Sequence, residues 1–384
     1  MIYSFSTSRV IFGIGASAGV AAHAARLGRR CLLVTGSRPE RCAWLFADLK
    51  GMMDDVRQVS LGGEPETGFV REQAELARRA GCDVVVAIGG GSVIDAGKAL
   101  AALIANNSDL YEYLEVVGKG LPLERDPVPM VAVPTTSGTG AEVTANAVLL
   151  SPEHGVKVSL RSPSLVPTMA VVDPELTVSL PPRQTCASGM DALTQLMECF
   201  VSHAASPLTD PLCRDGMARA ARSLRRAVTC GDDLAARSDM ALASLFSGMA
   251  LANSKLGAVH GFAAPLGGML GAAHGEICAA LLPHVMEANI KVLGATDASH
   301  PALDRYAEVG LILAGEHEAM AGVRFVSALC ADLGVRGLGA LGLDESRVDE
   351  AARKAALASS MKGNPVVLDH DRLVAILLGA MDAS

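Results

Sequence analysis

Apolar residues follow two different rhythms along the chain, and the change comes near its middle. In the first half, short continuous apolar runs alternate with stretches in which apolar positions recur every three or four residues. Arg30–Thr35, Val56–Val59, Asp83–Ile88, Val128–Val133 and Met169–Val172 predict strands buried on both faces. Ser17–Leu27, Glu66–Ala80 and Ser92–Ala105 predict helices between them. Such alternation predicts a parallel sheet with helices on both sides. Beyond Leu180-Pro181-Pro182 no strand pattern recurs, and Ala/Leu/Met-rich segments with helical spacing run from Arg183 to the end. Two domains are expected, an α/β domain over 1–180 and an all-helical domain over 181–384.

The 384 residues suit two domains of that size, and half of them are apolar, enough for a large core. A net charge of −8 leaves no basic footprint for nucleic acid. The nine cysteines form no CxxC pair, and several lie in apolar runs, as Cys82 does ahead of Val84-Val85-Val86. They read as reduced, buried thiols of a cytoplasmic protein. Met1 to Val10 lacks the basic-then-apolar order of a signal peptide. Leu256–Gly275 contains no Asp, Glu, Lys or Arg, yet its six glycines, Pro265 and two histidines fit a buried helix better than a membrane span. No nucleic-acid or membrane partner is expected.

Three glycine-bearing turns follow predicted strands. Gly89-Gly90-Gly91-Ser92 lies between a strand and a helix, where glycines let the backbone approach a pyrophosphate and the helix N-terminus offers free N–H donors. Ser92 suits the N-cap, with Asp95 and Lys98 on the first turns. Gly13-Ile14-Gly15-Ala16-Ser17-Ala18 matches GxGxxA, but no acidic residue closes the following strand to hold a ribose. That strand ends Val34-Thr35-Gly36-Ser37-Arg38: Gly36 leaves room for a 2′-phosphate and Arg38 offers it a partner, which leans the reading to NADP(H). Pro134-Thr135-Thr136-Ser137-Gly138-Thr139-Gly140-Ala141-Glu142 places further hydroxyls at a strand's carboxyl end.

Asp191 and Gln195 are four residues apart and share one helix face. His260 and His274 lie far along the chain among small residues that let bulky groups converge. A carboxylate with imidazoles suits a divalent iron or zinc ion. Two distant histidines alone are weak evidence for a metal, because a buried histidine is more often a satisfied core residue.

Together, Gly89–Ser92 with Asp95 and Lys98, Pro134–Glu142, Val172-Asp173-Pro174-Glu175-Leu176, Asp191 within GMDALTQ, His260, His274 and the late Asn364-Pro365 resemble the iron-containing (group III) alcohol dehydrogenase family, relatives of glycerol dehydrogenase and dehydroquinate synthase. The resemblance covers nearly the whole chain. It implies a dehydroquinate-synthase-like fold: an N-terminal Rossmann-like parallel-sheet domain that binds the dinucleotide and a C-terminal helical domain that binds metal. It also implies assembly as a homodimer or larger homo-oligomer. The implied activity is metal-dependent hydride transfer between NAD(P) and a small alcohol or aldehyde. Asp191, Gln195, His260 and His274 match the four metal-ligand positions, with Fe2+ or Zn2+ as the ion. Cofactor contacts are implied for Gly36, Arg38, Gly90, Gly91, Ser92, Asp95, Thr135, Thr136, Thr139 and Leu176. Lys157 is a further candidate, equally readable as a solvated lysine. Phe262 and Leu266 are expected to set substrate size.

Two positions depart from the family pattern. The second ligand position is usually His, and Gln195 offers only an amide oxygen, a weaker donor. Ala264 stands where many members carry a second His, four residues after His260. These departures keep two other readings open: a metal-free ketoacid reductase like the maleylacetate branch, and a nucleotide-binding relative with weakened catalysis.

Overall fold

The computed structural model describes residues 3–382, and the chain divides into two compact units. One comprises Thr7–Thr136 and Gly140–Val178; the other runs from Ser179 onward and includes Ser137–Thr139 and the N-terminal stretch up to Ser6.

The first unit carries eight strands: β1 (Arg9–Phe12), β2 (Arg30–Gly36), β3 (Asp55–Leu61), β4 (Val84–Gly89), β5 (Met130–Pro134), β6 (Asn146–Ser151), β7 (Val156–Arg161) and β8 (Met169–Val172). Six of them form one parallel sheet in the order β1-β8-β5-β4-β2-β3. β4 and β5 are buried at every position, which is why their sequences are unbroken apolar runs instead of alternating ones. Helices α1 (Val20–Ala25), α2 (Ala43–Met52), α3 (Thr67–Arg79), α4 (Gly91–Ala105) and α5 (Leu110–Tyr113) belong to the same unit. The helix predicted from Ser17 starts instead as a 3-10 turn over Ala16–Gly19, and α1 proper begins at Val20.

α4 buries eleven of its fifteen residues. Gly97 allows this close approach: a Cβ there would lie 2.6 Å from Ala87 Cβ and 2.7 Å from Met130 Cε. The β6–β7 hairpin is absent from the sequence prediction. Its strands bury alternate residues of a mixed polar and apolar run, a weaker signal than the continuous runs of the sheet. It is tied to α4 by the fully buried Lys98, whose Nζ donates to Asn146 O at 2.6 Å and Thr144 Oγ1 at 2.9 Å and pairs with Asp95 Oδ1 at 3.0 Å.

The second unit is helical: α6 (Pro182–Val201), α7 (Asp210–Thr229), α8 (Leu234–Ala252), α9 (Ala258–Leu270), α10 (His274–Thr296), α11 (Pro301–Ala314), α12 (Ala319–Asp332), α13 (Val348–Ala356) and α14 (His370–Gly379). α6 is the axis of its core, buried almost continuously from Gly189 to Val201. The charge-free stretch Leu256–Gly275 is broken at Gly271, which ends α9 in the left-handed conformation. α10 is long and apolar enough to cross a membrane by length and composition, and two-thirds of that window (67%) is buried inside the unit. All nine cysteines are free thiols; eight are buried and Cys230 is partly exposed.

Next to the Lys98 knot, burial pushes the Glu142 carboxyl from its ordinary 4.5 up to about 7. Burial also raises Asp95, against the pull of Lys98 and the Val148 N–H. The folded form therefore holds a proton that the unfolded chain has released. The contribution of this carboxyl to stability is full below about pH 4.5 and falls as pH rises through 7. Glu142→Gln should abolish most of this slope and raise stability at pH 8 by on the order of 3 kcal/mol. Urea midpoints measured from pH 4.5 to 8 check it, and an unchanged slope in the variant refutes it.

Candidate metal centre and dinucleotide site

Chain order places a switch point in the sheet. β2 leads through α2 to β3 on one side, while β4 leads through α4 to β5 on the other. In open α/β sheets the crevice at the carboxyl ends of such a strand pair is where ligands bind. Thr35 of β2 pairs with Ile88 of β4, so Gly36-Ser37-Arg38 and Gly89–Ser92 leave the sheet side by side. Gly89 is required for the turn, because a Cβ there would lie 2.6 Å from Val93 Cγ2. Gly90, not Ser92, takes the N-cap position of α4, so Ser92 lies within the first turn. The first-turn N–H groups of Gly91 and Ser92 precede the intrahelical ladder and remain available as donors.

The other candidates are placed as follows. Arg38 is exposed beside the half-buried Gly36. Thr135 and Thr136 are half-buried at the carboxyl end of β5, with Thr136 next to Gly90. Thr139 falls in the segment that belongs to the helical unit, where Gly138 O accepts from Ser247 Oγ at 3.4 Å. Asp95 has both oxygens engaged within the protein, one with Lys98 and one with Val148 N at 3.1 Å. Lys157 pairs with Glu64 at 3.0 Å. Leu176 is half-buried and packs against the face of the sheet that carries Leu33, Val86 and Val131. In the Gly13–Ala18 turn, the N–H groups of Gly15 and Ser17 donate to the buried Asp173 carboxylate at 3.2 and 3.0 Å, and Ser17 Oγ donates at 2.6 Å. This turn spends its donors on an acid of its own chain.

In the helical unit, α6 presents Asp191, Gln195 and Glu198 on one face, α9 supplies His260, and α10 begins at His274 with Cys278 one turn on. The donor atoms of Asp191, His260, His274 and Cys278 all lie within 4.8 Å of one another. Asp191 Oδ1 is buried and makes no hydrogen bond, although His260 Nε2 is 3.3 Å away and His274 Nε2 is 3.6 Å away. His260 Nδ1 meets Glu198 Oε2 at 2.6 Å. A proton on Nδ1 leaves Nε2 with its lone pair turned toward Asp191, the arrangement of a metal-ligating histidine. Two lone pairs facing each other across 3.3 Å call for a cation between them. The orphaned oxygen and the O, N and S donors fit a divalent ion.

Without a cation, protons take its place. Burial works against charge on His260, but Cys278, Glu198 and Asp191 outweigh it and hold the ring well above its ordinary value. Cys278, followed by Asp191, raises His274. Burial alone would raise Asp191 and Cys278, yet the two imidazoles pull both down.

Glu198 and Cys278 are not among the residues the sequence singles out. Glu198 lies seven residues after Asp191, two helical turns on the same face, and that phase is its only sequence signal. Cys278 lies four after His274 but inside an apolar run, where a thiol reads as core. Phe262 and Leu266 are fully buried in the helical core. They lie about 200° and 240° round α9 from His260, on the face turned away from the cluster. Ala264 is exposed.

Two family models match the chain: iron-containing alcohol dehydrogenase over residues 7–174, and the C-terminal domain of the Fe-containing alcohol dehydrogenase family over residues 185–381. A 1,3-propanediol dehydrogenase of Klebsiella pneumoniae is 41% identical over 228 residues, 59% of this chain and 57% of that enzyme, so the match spans less than two-thirds of the relative. A crystal structure of 1,3-propanediol oxidoreductase superposes with a TM-score of 0.92 at 31% identity, covering 99% of this chain and all of the other. A sulfoacetaldehyde reductase of Bifidobacterium kashiwanohense, solved in complex with NAD+, gives a TM-score of 0.89 at 28% identity with full coverage of both chains.

Glu198→Gln keeps the side chain's shape and removes its charge. It should weaken zinc binding about 10–100-fold, read by competition with a chromophoric chelator, with little change in the unfolding midpoint. Unaltered affinity would separate Glu198 from the cluster.

Proposed function

Because this chain belongs to the iron-containing alcohol dehydrogenase family, we propose that it is a metal-dependent alcohol dehydrogenase and aldehyde reductase that moves hydride between NAD(P) and a small alcohol or aldehyde. The convergence of Asp191 Oδ1, His260 Nε2 and His274 Nε2 carries this reading. A divalent cation held there supplies Lewis acidity to the substrate's C–O bond. Glu198 fixes the tautomer and tilt of His260. Gln195 Nε2, 3.4 Å from Asp191 Oδ2, steadies the carboxylate. The similarity to 1,3-propanediol enzymes supports a short-chain alcohol or its aldehyde as substrate.

On the α/β unit, Gly90, Gly91 and Ser92 are the proposed pyrophosphate cradle, with Thr135 and Thr136 beside it and Leu176 as an apolar contact. Gly36 and the exposed Arg38 support binding of a 2′-phosphate, hence NADP(H), since no acidic residue there repels it.

The test is an activity screen of purified protein with Fe2+ or Zn2+, NADH or NADPH, and an aldehyde panel. Reduction of a short aldehyde that stops on chelation is expected. No turnover with any combination, or turnover indifferent to chelator, overturns the reading. Arg38→Ala should cut the ratio of kcat/KM for NADPH over NADH at least about tenfold, leaving NADH kinetics near those of the parent. An unchanged ratio assigns the cofactor preference elsewhere.

A further inference from the structure

We infer that Cys278 completes the metal's ligand set with Asp191, His260 and His274, in place of Gln195. The inference rests on the metal reading of this site and concerns which side chains do the holding.

Geometry is the first ground. Tetrahedral zinc with Zn–N near 2.0–2.1 Å and Zn–S near 2.3 Å spaces its ligand atoms about 3.3–3.6 Å apart. Around this cluster the edges are 3.3 Å from Asp191 Oδ1 to His260 Nε2 and 3.6 Å to His274 Nε2, then 3.7 Å from Cys278 Sγ to His274 Nε2 and 4.0 Å to His260 Nε2. Contraction by a few tenths of an ångström brings these four edges to zinc spacing, and the remaining two, Asp191–Cys278 and His260–His274, lie within 4.8 Å. His274 and Cys278 are one turn apart on α10, so a single rigid helix presents both. Cys278 is fully buried, with its Sγ turned to the two imidazoles.

The second ground is the state of Gln195. Its Nε2 faces Asp191 Oδ2 at 3.4 Å, which commits the donor end of the amide to the carboxylate. The Oε1 end is buried without a partner and is the rival ligand. A neutral amide oxygen binds a soft or borderline cation less well than a thiolate does. For an ion to bind, the Cys278 thiol and the His260 and His274 Nε2 atoms would give up their protons to solvent, freeing the sulfur and nitrogen lone pairs to hold it. Two anionic ligands, Asp191 and Cys278, then cancel the charge of a divalent cation.

Cobalt substitution reads this directly. The full-length protein is stripped with chelator and reloaded with Co2+. The parent should show an intense sulfur-to-cobalt charge-transfer band in the near ultraviolet. Cys278→Ser should lose that band and bind Zn2+ about tenfold more weakly or worse, whereas Gln195→Ala should keep the band. X-ray absorption of the zinc form should show one sulfur at about 2.3 Å. Cobalt bound without a charge-transfer band in the parent, or a band that survives in Cys278→Ser, overturns the inference and leaves the metal reading standing. Failure of the parent to bind any divalent ion overturns both. The parent spectrum decides the matter even if a variant does not fold.

Discussion

The carboxylate of Glu198 holds the helical unit's chemistry in register. One oxygen, Oε2, takes His260 Nδ1 at 2.6 Å, and the other, Oε1, accepts the N–H of Val259 at 2.7 Å. α9 starts at a glycine and so has no capping side chain of its own. Its first free donors are met from elsewhere: Val259 by Glu198, and Ala258 by Asn364 Oδ1 at 3.2 Å. A Cβ at Gly257 would lie 2.9 Å from Glu198 Oε1 and 3.0 Å from Asn364 Oδ1, so a larger residue there would push on both acceptors. The acid that orients the imidazole thus also fixes where its helix begins. Position and protonation of His260 are set by one group.

Asn364 extends this joint. Its amide exchanges hydrogen bonds with Asn289 of α10 in both directions, at 2.8 and 3.0 Å. The helix that carries His260 and the helix that carries His274 and Cys278 are therefore tied to the same side chain. The near-terminal Asn364-Pro365 pair, which in the sequence is only a shared motif, gains a physical role as the clasp of the two histidine-bearing helices.

The parts of the molecule legible in the sequence are those where one physical demand dominates. Val84–Ile88 and Met169–Val172 are buried on both faces, so composition alone reveals them. Asp191 and the two histidines are visible through the family resemblance. The parts that stay hidden depend on tertiary partners. β6–β7 mixes polar and apolar residues because one face lies on α4. Ser92 has the chemistry of an N-cap, but α4 begins two residues too early for that role and Gly90 takes the position. The Gly13–Ser17 turn looks much like the Gly89–Ser92 turn in sequence. They part company only through Asp173, 156 residues from Ser17, which occupies the first with a carboxylate and leaves the second open. Cys278 is indistinguishable from a core thiol until His274 is seen beside it.

Eight of the nine sulfurs are enclosed by packing, and Cys230, after α7, is the exception. The unmodified polypeptide thus offers a nearly unique attachment point for a maleimide dye or spin label. Nothing needs to be mutated away first, and the label sits on the loop between α7 and α8, on different elements from those that bear the histidines.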